Sequence, residues 1–147
     1  MKSILKACLI AVVTLNVGNA MAQDKIIEYD QLPLNAKTFI KTNFNKERIS
    51  YVSSEKEFIS GTEYKVVFQN GGKIEFDGKG NWKDIDNKLN PVPSVIVPTK
   101  IQNYVNKSFP DNKIVQISKD KKGYDIELTN GIDLEFSKNG TFTRIDD

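Results

Sequence analysis

Apolar and polar positions along the chain alternate between two periods, and the change occurs twice. Ala36, Phe39, Ile40 and Phe44 recur at helical spacing, as do Ile101, Tyr104, Val105 and Phe109. Lys37, Lys41, Asn103 and Lys107 fill the opposite sides. Pro33 and Pro98 suit a first helical turn, where a missing N–H leaves no bond unmade. Asn45 and Pro110 close the two segments. The spacing predicts two helices, each with one apolar stripe.

After each helix the period becomes two. In "EYKVVFQ" the residues Tyr64, Val66 and Phe68 fall on one side, and in "GYDIELT" so do Tyr124, Ile126 and Leu128. "KIEFD" and "DLEFS" turn Ile74 and Phe76, or Leu134 and Phe136, the same way, and "NWKDID" and "TFTRID" close each unit. A less regular strand is expected over 49–54 and 114–119.

The two units are near copies. At an offset of sixty, Tyr64, Asn70, Gly71, Glu75, Phe76, Gly80, Ile85 and Asp86 meet Tyr124, Asn130, Gly131, Glu135, Phe136, Gly140, Ile145 and Asp146. Trp82 meets Phe142. Upstream the offset is sixty-five, bringing Pro33, Phe39, Ile40, Phe44 and Ile49 onto Pro98, Tyr104, Val105, Phe109 and Ile114. The difference falls around "EFISGT", a longer turn in the first copy. The chain reads as an internal duplication, repeats 31–87 and 93–147, joined by "NKLNPVPSVIVP" with three of the five prolines. One copy of about 55 residues is marginal alone. Two sheets merged edge to edge bury both apolar faces and remove one pair of edges. The expected fold is α+β: two tandem α-β-β-β(-β) repeats forming one antiparallel sheet, both helices on one face, the other face open.

Turn chemistry suggests a register. A three-residue loop Asn130-Gly131-Ile132 pairs Leu128 with Leu134 and Ile126 with Phe136. The same loop in the first copy pairs Phe68 with Ile74 and Val66 with Phe76. On the polar face Glu127 then opposes Glu135 and Thr129 opposes Asp133, with Asp125 further along. In the first copy Val67 opposes Glu75 and Gln69 opposes Lys73, with Lys65 nearby. Like charges face to face cost up to about 1 kcal/mol. The candidate binding face is therefore Lys65, Val67, Lys73, Glu75, Lys83, Asp125, Glu127, Asp133 and Glu135, acidic in one half and mixed in the other. A docking surface for a protein or peptide is expected, its acidic half favouring a basic partner.

The amino terminus changes how composition is read. Lys2 and Lys6, an apolar run from Ala7 to about Val17, and the small residues Ala20 and Ala22 make residues 1–22 a cleaved secretory signal. The run is shorter than the roughly 20 residues a membrane helix needs. Cys8 lies inside it, beside Lys6 and without a following polar linker, unlike a lipidated cysteine. Residues 23–147 are then a single domain, exported to the periplasm or the outside, with no membrane attachment after cleavage. Removing Lys2 and Lys6 from 21 basic residues leaves 19 against 19 acidic ones, so no global charge favours nucleic acid. Cys8 also leaves, and no disulfide can form.

Candidate chemistry is sparse. The chain has no histidine and no cysteine after cleavage, which excludes Ser-His-Asp and Cys-His systems and the usual zinc sites. No Gly-Lys-Ser/Thr follows a glycine-rich loop. "DGKGNW" places Asp77 and Asn81 as in a calcium loop, but Lys79 and Trp82 stand where a ligand and a glycine are needed, and Ser137 replaces Asp77 in the second copy. A glycine hairpin turn explains it better. Trp82 and Phe142 read as core rather than as ligand-stacking platforms. No acid lies in an apolar segment that would tune it for glycosidase chemistry. Neither catalytic residues, nor cofactor, nor metal are expected.

With "LPLNAKTFIKTNF", "YKVVFQNGGKIEFDGKGNW" and "VPTKIQNYVNKSF … YDIELTNGIDLEFSKNGTF", residues 31–147 resemble the PepSY-like family, also described as similar to beta-lactamase inhibitor proteins. The resemblance implies an antiparallel sheet with helices on one face and a second face that grips an enzyme or restrains a peptidase. The cysteines of the inhibitor proteins are missing, and no inhibitory loop can be matched. The sequence thus leads to a monomeric, exported, non-enzymatic binding or inhibitory module. Its alternative is an accessory subunit of an envelope complex.

Overall fold

The computed structural model describes residues 24–146. The expected signal, residues 1–22 with Cys8, lies outside the described residues, as do Gln23 and Asp147. The element order is β1 (Lys25–Ile27), a 3-10 turn (Tyr29–Gln31), α1 (Leu34–Asn43), β2 (Ile49–Glu57), β3 (Gly61–Phe68), β4 (Lys73–Phe76), β5 (Trp82–Asp86), α2 (Thr99–Ser108), β6 (Ile114–Lys119), β7 (Gly123–Leu128), β8 (Asp133–Ser137) and β9 (Phe142–Asp146). The nine strands form one antiparallel sheet in sequence order. The fold class is α+β, with two α-helices among the described residues. The sequence pattern predicts neither the strand β1 nor the 3-10 turn.

Both prolines sit one place earlier than a first helical turn. Pro33 and Pro98 are the caps, with extended backbone, and their carbonyls accept the N–H groups of Lys37 (3.1 Å) and Gln102 (3.0 Å). A proline cap starts each helix cleanly because its fixed φ is already compatible with the turn that follows. Each helix closes on an aromatic residue, Phe44 bonding to the Ile40 carbonyl and Phe109 to that of Val105, both at 2.8 Å. The first helix therefore ends before Asn45.

The hairpin register differs from the sequence-based one by two residues. Val66 faces Ile74 and Tyr64 faces Phe76; Ile126 faces Leu134 and Tyr124 faces Phe136. The loop has the expected three residues but begins one earlier, Thr129-Asn130-Gly131, closed by Leu128 N–H to the Ile132 carbonyl at 3.0 Å. Gly131, at φ 79, then holds the last loop position, which is where this turn requires a left-handed residue. A shift of two leaves every side chain on its expected face. The cross-strand pairs change: Asp125 opposes Glu135, Glu127 opposes Asp133, Lys65 opposes Glu75 and Val67 opposes Lys73.

One apolar row crosses the whole sheet: Ile27, Val52, Val66, Ile74, Ile85, Ile117, Ile126, Leu134 and Ile145 are successive cross-strand partners. Except for Ile145, which is exposed at the edge strand, it belongs to a single core that also contains Ala36, Ile40, Ile101 and Val105 from the helices. Phe39 of α1 stands edge-on to Phe76 and stacks on Trp82. Tyr104 of α2 does the same with Phe136 and Phe142. Trp82 and Phe142 are thus packing residues, as expected.

Candidate functional site

Strand alternation that buries one face sends the intervening residues to the other. On that polar face two rows run across the strands. The first is Ser53, Lys65, Glu75, Asp84, Ser118, Asp125, Glu135 and Arg144, each the cross-strand partner of the next. The second is Val67, Lys73, Asp86, Gln116, Glu127, Asp133 and Asp146. Eight of the nine sequence-derived residues lie in these rows. Lys83 joins them because a bulge opposite Phe76 releases it from the ladder, and its ammonium bonds to Glu63.

The two ends of the face differ in charge. Over β3 to β5 the cations are partnered: Lys65 with Asp24 (3.4 Å), and Lys73 with Glu75 (3.5 Å) and Asp84 (3.7 Å). Over β7 to β9 the acids are Asp125, Glu127, Asp133, Glu135 and Asp146, and Arg144 is the basic residue among them. Arg144 forks onto Glu135 (2.9 and 2.6 Å) and reaches Asp146 at 3.4 Å. That bidentate contact holds the Glu135 carboxyl below the usual range. Asp125 moves the other way, raised first by burial and then by Glu135 and Asp120, with Ser118 opposing the shift. Gln116, Ser118 and the five acids border a concavity of about 280 Å³.

Asp84, at the middle of the face, is not singled out by the sequence, and neither are Asp86, Glu63, Arg144 or Asp146. Burial raises the Asp84 pKa, against the Gln116 amide (3.1 Å) and Lys73, which act to lower it. Its charged form therefore disfavours the folded state above the unfolded value of about 3.9. The penalty fades as pH falls through the raised folded value and vanishes below the unfolded one. Asp84→Asn, which can still accept from Gln116, is expected to raise the denaturation midpoint at pH 7 and to leave it unchanged at a pH of about 3.5, below the unfolded value. Thermal melts at the two pH values check this.

The "DGKGNW" segment is a turn that consumes its own acid. Asp77 accepts the N–H groups of Lys79 and Asn81 (2.9 Å each) and the Asn81 amide (3.0 Å). Partial burial works to raise its pKa, but these bonds outweigh it and hold the carboxyl low. Ser137 plays the same part in the second turn, accepting the Thr141 N–H at 3.2 Å. Among the described residues no group of three or more acids is placed to hold a metal ion. No helix there is long and apolar enough to cross a membrane.

Residues 62–144 match the protein family described as "Putative beta-lactamase-inhibitor-like, PepSY-like". Three crystal structures described as "putative" periplasmic proteins are similar to this chain, each with a TM-score of 0.81. One, called calcium-regulated, is from Bacteroides thetaiotaomicron, with 40% identity over 84% of this chain and 97% of its own. Two are from Bacteroides vulgatus: one shares 38% identity over 85% of this chain and 98% of its own. The other, of unknown function, shares 32% identity over 85% and 100%. No curated protein matches the chain.

Proposed function

Because the chain belongs to the PepSY-like family, we propose that it is an exported, non-enzymatic binding or inhibitory module whose open sheet face captures a basic segment of another protein or a peptide. In this reading the two halves are tandem repeats that share one sheet. Both helices take the apolar face, since Phe39 and Tyr104 lie against Phe76 and Phe136 of the same buried core. The periplasmic description of the similar structures fits export. The enzyme restrained, if the module inhibits, is an envelope enzyme such as a peptidase.

One observation carries the reading. Asp125 faces Glu135 and Glu127 faces Asp133, so two like-charge pairs sit side by side on an exposed sheet. Each such pair costs a few tenths of a kcal/mol to about 1 kcal/mol. Arg144 engages Glu135 and relieves part of this repulsion, and a lysine- or arginine-bearing partner would relieve the rest and be steered toward it. The first half, with Lys65 against Glu75 and Lys73 between two acids, carries no such excess.

The test uses a fluorescent peptide of alternating lysine and glycine and a variant combining Asp125→Asn, Glu127→Gln, Asp133→Asn and Glu135→Gln. The native protein should bind it in about 50 mM salt and lose affinity as salt rises. The variant should bind at least about tenfold more weakly. Equal affinities for the two proteins would remove the proposal.

A further inference from the structure

The apolar row that crosses the sheet breaks off exposed at β9. Ile85 and Ile145 are counterparts at the sequence offset of sixty, yet Ile85 is fully buried and Ile145 is 49% exposed. What separates them is the next strand. Ile85 of β5 faces Ile117 of β6, with Asp84–Ser118 and Asp86–Gln116 on either side. β9 has β8 as its one neighbour among the described strands. At the other end of the sheet the three-residue β1 lies against β2, and so short an edge strand gives little to pair with. β9 has five residues, no proline and no inward-pointing charge, for its core-side residues are Phe142 and Ile145.

The backbone of Ile145 is turned outward as well. The loop after β7 is closed by the Leu128 N–H on the Ile132 carbonyl. Antiparallel pairs that exchange hydrogen bonds recur at every second position, so Ile126 and Leu134 bond to each other. Leu134 thus has its N–H and C=O toward β7, and Ile145, which faces it from β9, points its own away from β8. In the first half the same position is in use. Asn87 N–H bonds to the Val115 carbonyl at 2.9 Å, which by the same alternation makes Ile85–Ile117 a bonded pair. The side chains at the edge add a charge pattern. One polar row reaches β9 as Glu127, Asp133 and Asp146, three acids in succession, and Asp146 shares Arg144 with Glu135. The next place in that row belongs to whatever lies beyond β9.

We infer that the basic segment is captured at the edge of β9, where it adds as an antiparallel strand with a basic residue opposite Asp146, an apolar one opposite Ile145 and a small polar one opposite Arg144. β6 supplies the pattern, since Gln116, Ile117 and Ser118 take those places against Asp86, Ile85 and Asp84. A basic residue replaces the glutamine because Asp133 and Glu127 stand behind Asp146 in its row. The apolar residue covers Ile145 as Ile117 covers Ile85. Arg144 is already forked onto Glu135, so its place asks for no further charge. A second copy of this chain fits less well, because it brings its own acidic half to the same edge. The inference rests on the preceding reading in taking the partner to be a basic segment.

The probes are three fluorescent peptides with the core Lys-Ile-Ser between threonines: one unmodified, one N-methylated at the isoleucine and one N-methylated at the serine. In the antiparallel register the isoleucine N–H points at β9 and the serine N–H points away from it. The unmodified peptide should bind and slow hydrogen exchange at the Ile145 amide. Methylation at the isoleucine removes a bond and sets a methyl group between the strands, so it should weaken binding on the order of tenfold, against less than about twofold for methylation at the serine. Equal effects of the two methylations, no binding of the unmodified peptide, or no protection of Ile145 would each overturn the inference. So would protection of Ile145 in the free protein that grows with its concentration, the mark of a second copy at the edge. The variant with the four neutralised acids separates the two proposals. If neither methylation matters but the variant loses the peptide, the acidic face stands and strand addition falls. If methylation at the isoleucine alone matters and the variant binds as the native protein does, strand addition stands and the acidic face falls.

Discussion

Gly123→Ala is expected to cost about 3 kcal/mol or more, the largest loss from an alanine at any glycine of the described residues. A Cβ at Gly123 would stand 1.9 Å from the carbonyl oxygen of Phe136 and 2.9 Å from two backbone carbons of β8. Those atoms belong to a ladder in which Gly123 faces Ser137 and Tyr124 faces Phe136, so they cannot swing away as a side-chain end could. Relief requires parting β7 from β8 where Phe136 enters the core, or opening the turn whose N–H groups Asp120 caps. The control is Gly131→Ala. That glycine has φ 79, but a methyl group added to it would meet no atom within 4 Å, so only the left-handed backbone matters, at roughly 1–2 kcal/mol. Urea titrations of the two variants should separate their midpoints clearly. Similar midpoints would mean that the close approach of β7 to β8 does not exist.

Much of this architecture is legible in the sequence because strand and helix periods are robust to small errors. Alternation alone places Val66, Ile74, Ile126 and Leu134 inward, and all four are fully buried or nearly so. The register is off by two residues because Asn130-Gly131 can begin a three-residue loop or end one. Only the left-handed requirement at the last position favours the second. An even shift conserves faces, so the acidic patch keeps its members with different partners: Asp125 rather than Glu127 meets Glu135.

Bulges hide more. Between Glu75 and Phe76 the ladder slips by one, which turns both Trp82 and Ile85 toward the core although they are three apart. The same slip between Glu135 and Phe136 brings in Phe142. Slips at Ile49/Tyr51 and Ile114/Gln116 explain why β2 and β6 look irregular in sequence: Ile114 and Val115 are adjacent yet both buried. Strict alternation therefore offers no means of placing Asp84, Asp86 or Arg144 on the polar face. The β1 strand escapes notice for a simpler reason, since its three residues carry too short a pattern to read.

Ile117→Ala tests whether the two halves unfold together. Ile85 and Ile117 are both fully buried and face each other where β5 meets β6, a junction of only three residue pairs. Removing most of a fully buried isoleucine side chain costs about 2–5 kcal/mol. The site of that loss matters more than its size. Trp82, the one tryptophan, lies in the first half against Phe39, with the Lys119 ammonium of β6 3.8 Å from its ring centre. Its fluorescence reports the first half, while far-UV circular dichroism reports all nine strands. With one shared core, Ile117→Ala moves both midpoints by the same amount and the transitions stay coincident, as a two-state domain requires. If each half held its own core, a truncation in β6 would shift the second half alone, the circular dichroism curve would split, and the Trp82 midpoint would stay in place. A two-part transition would also remove the polar face as one surface, because both polar rows run through the β5–β6 junction at Asp84–Ser118 and Asp86–Gln116.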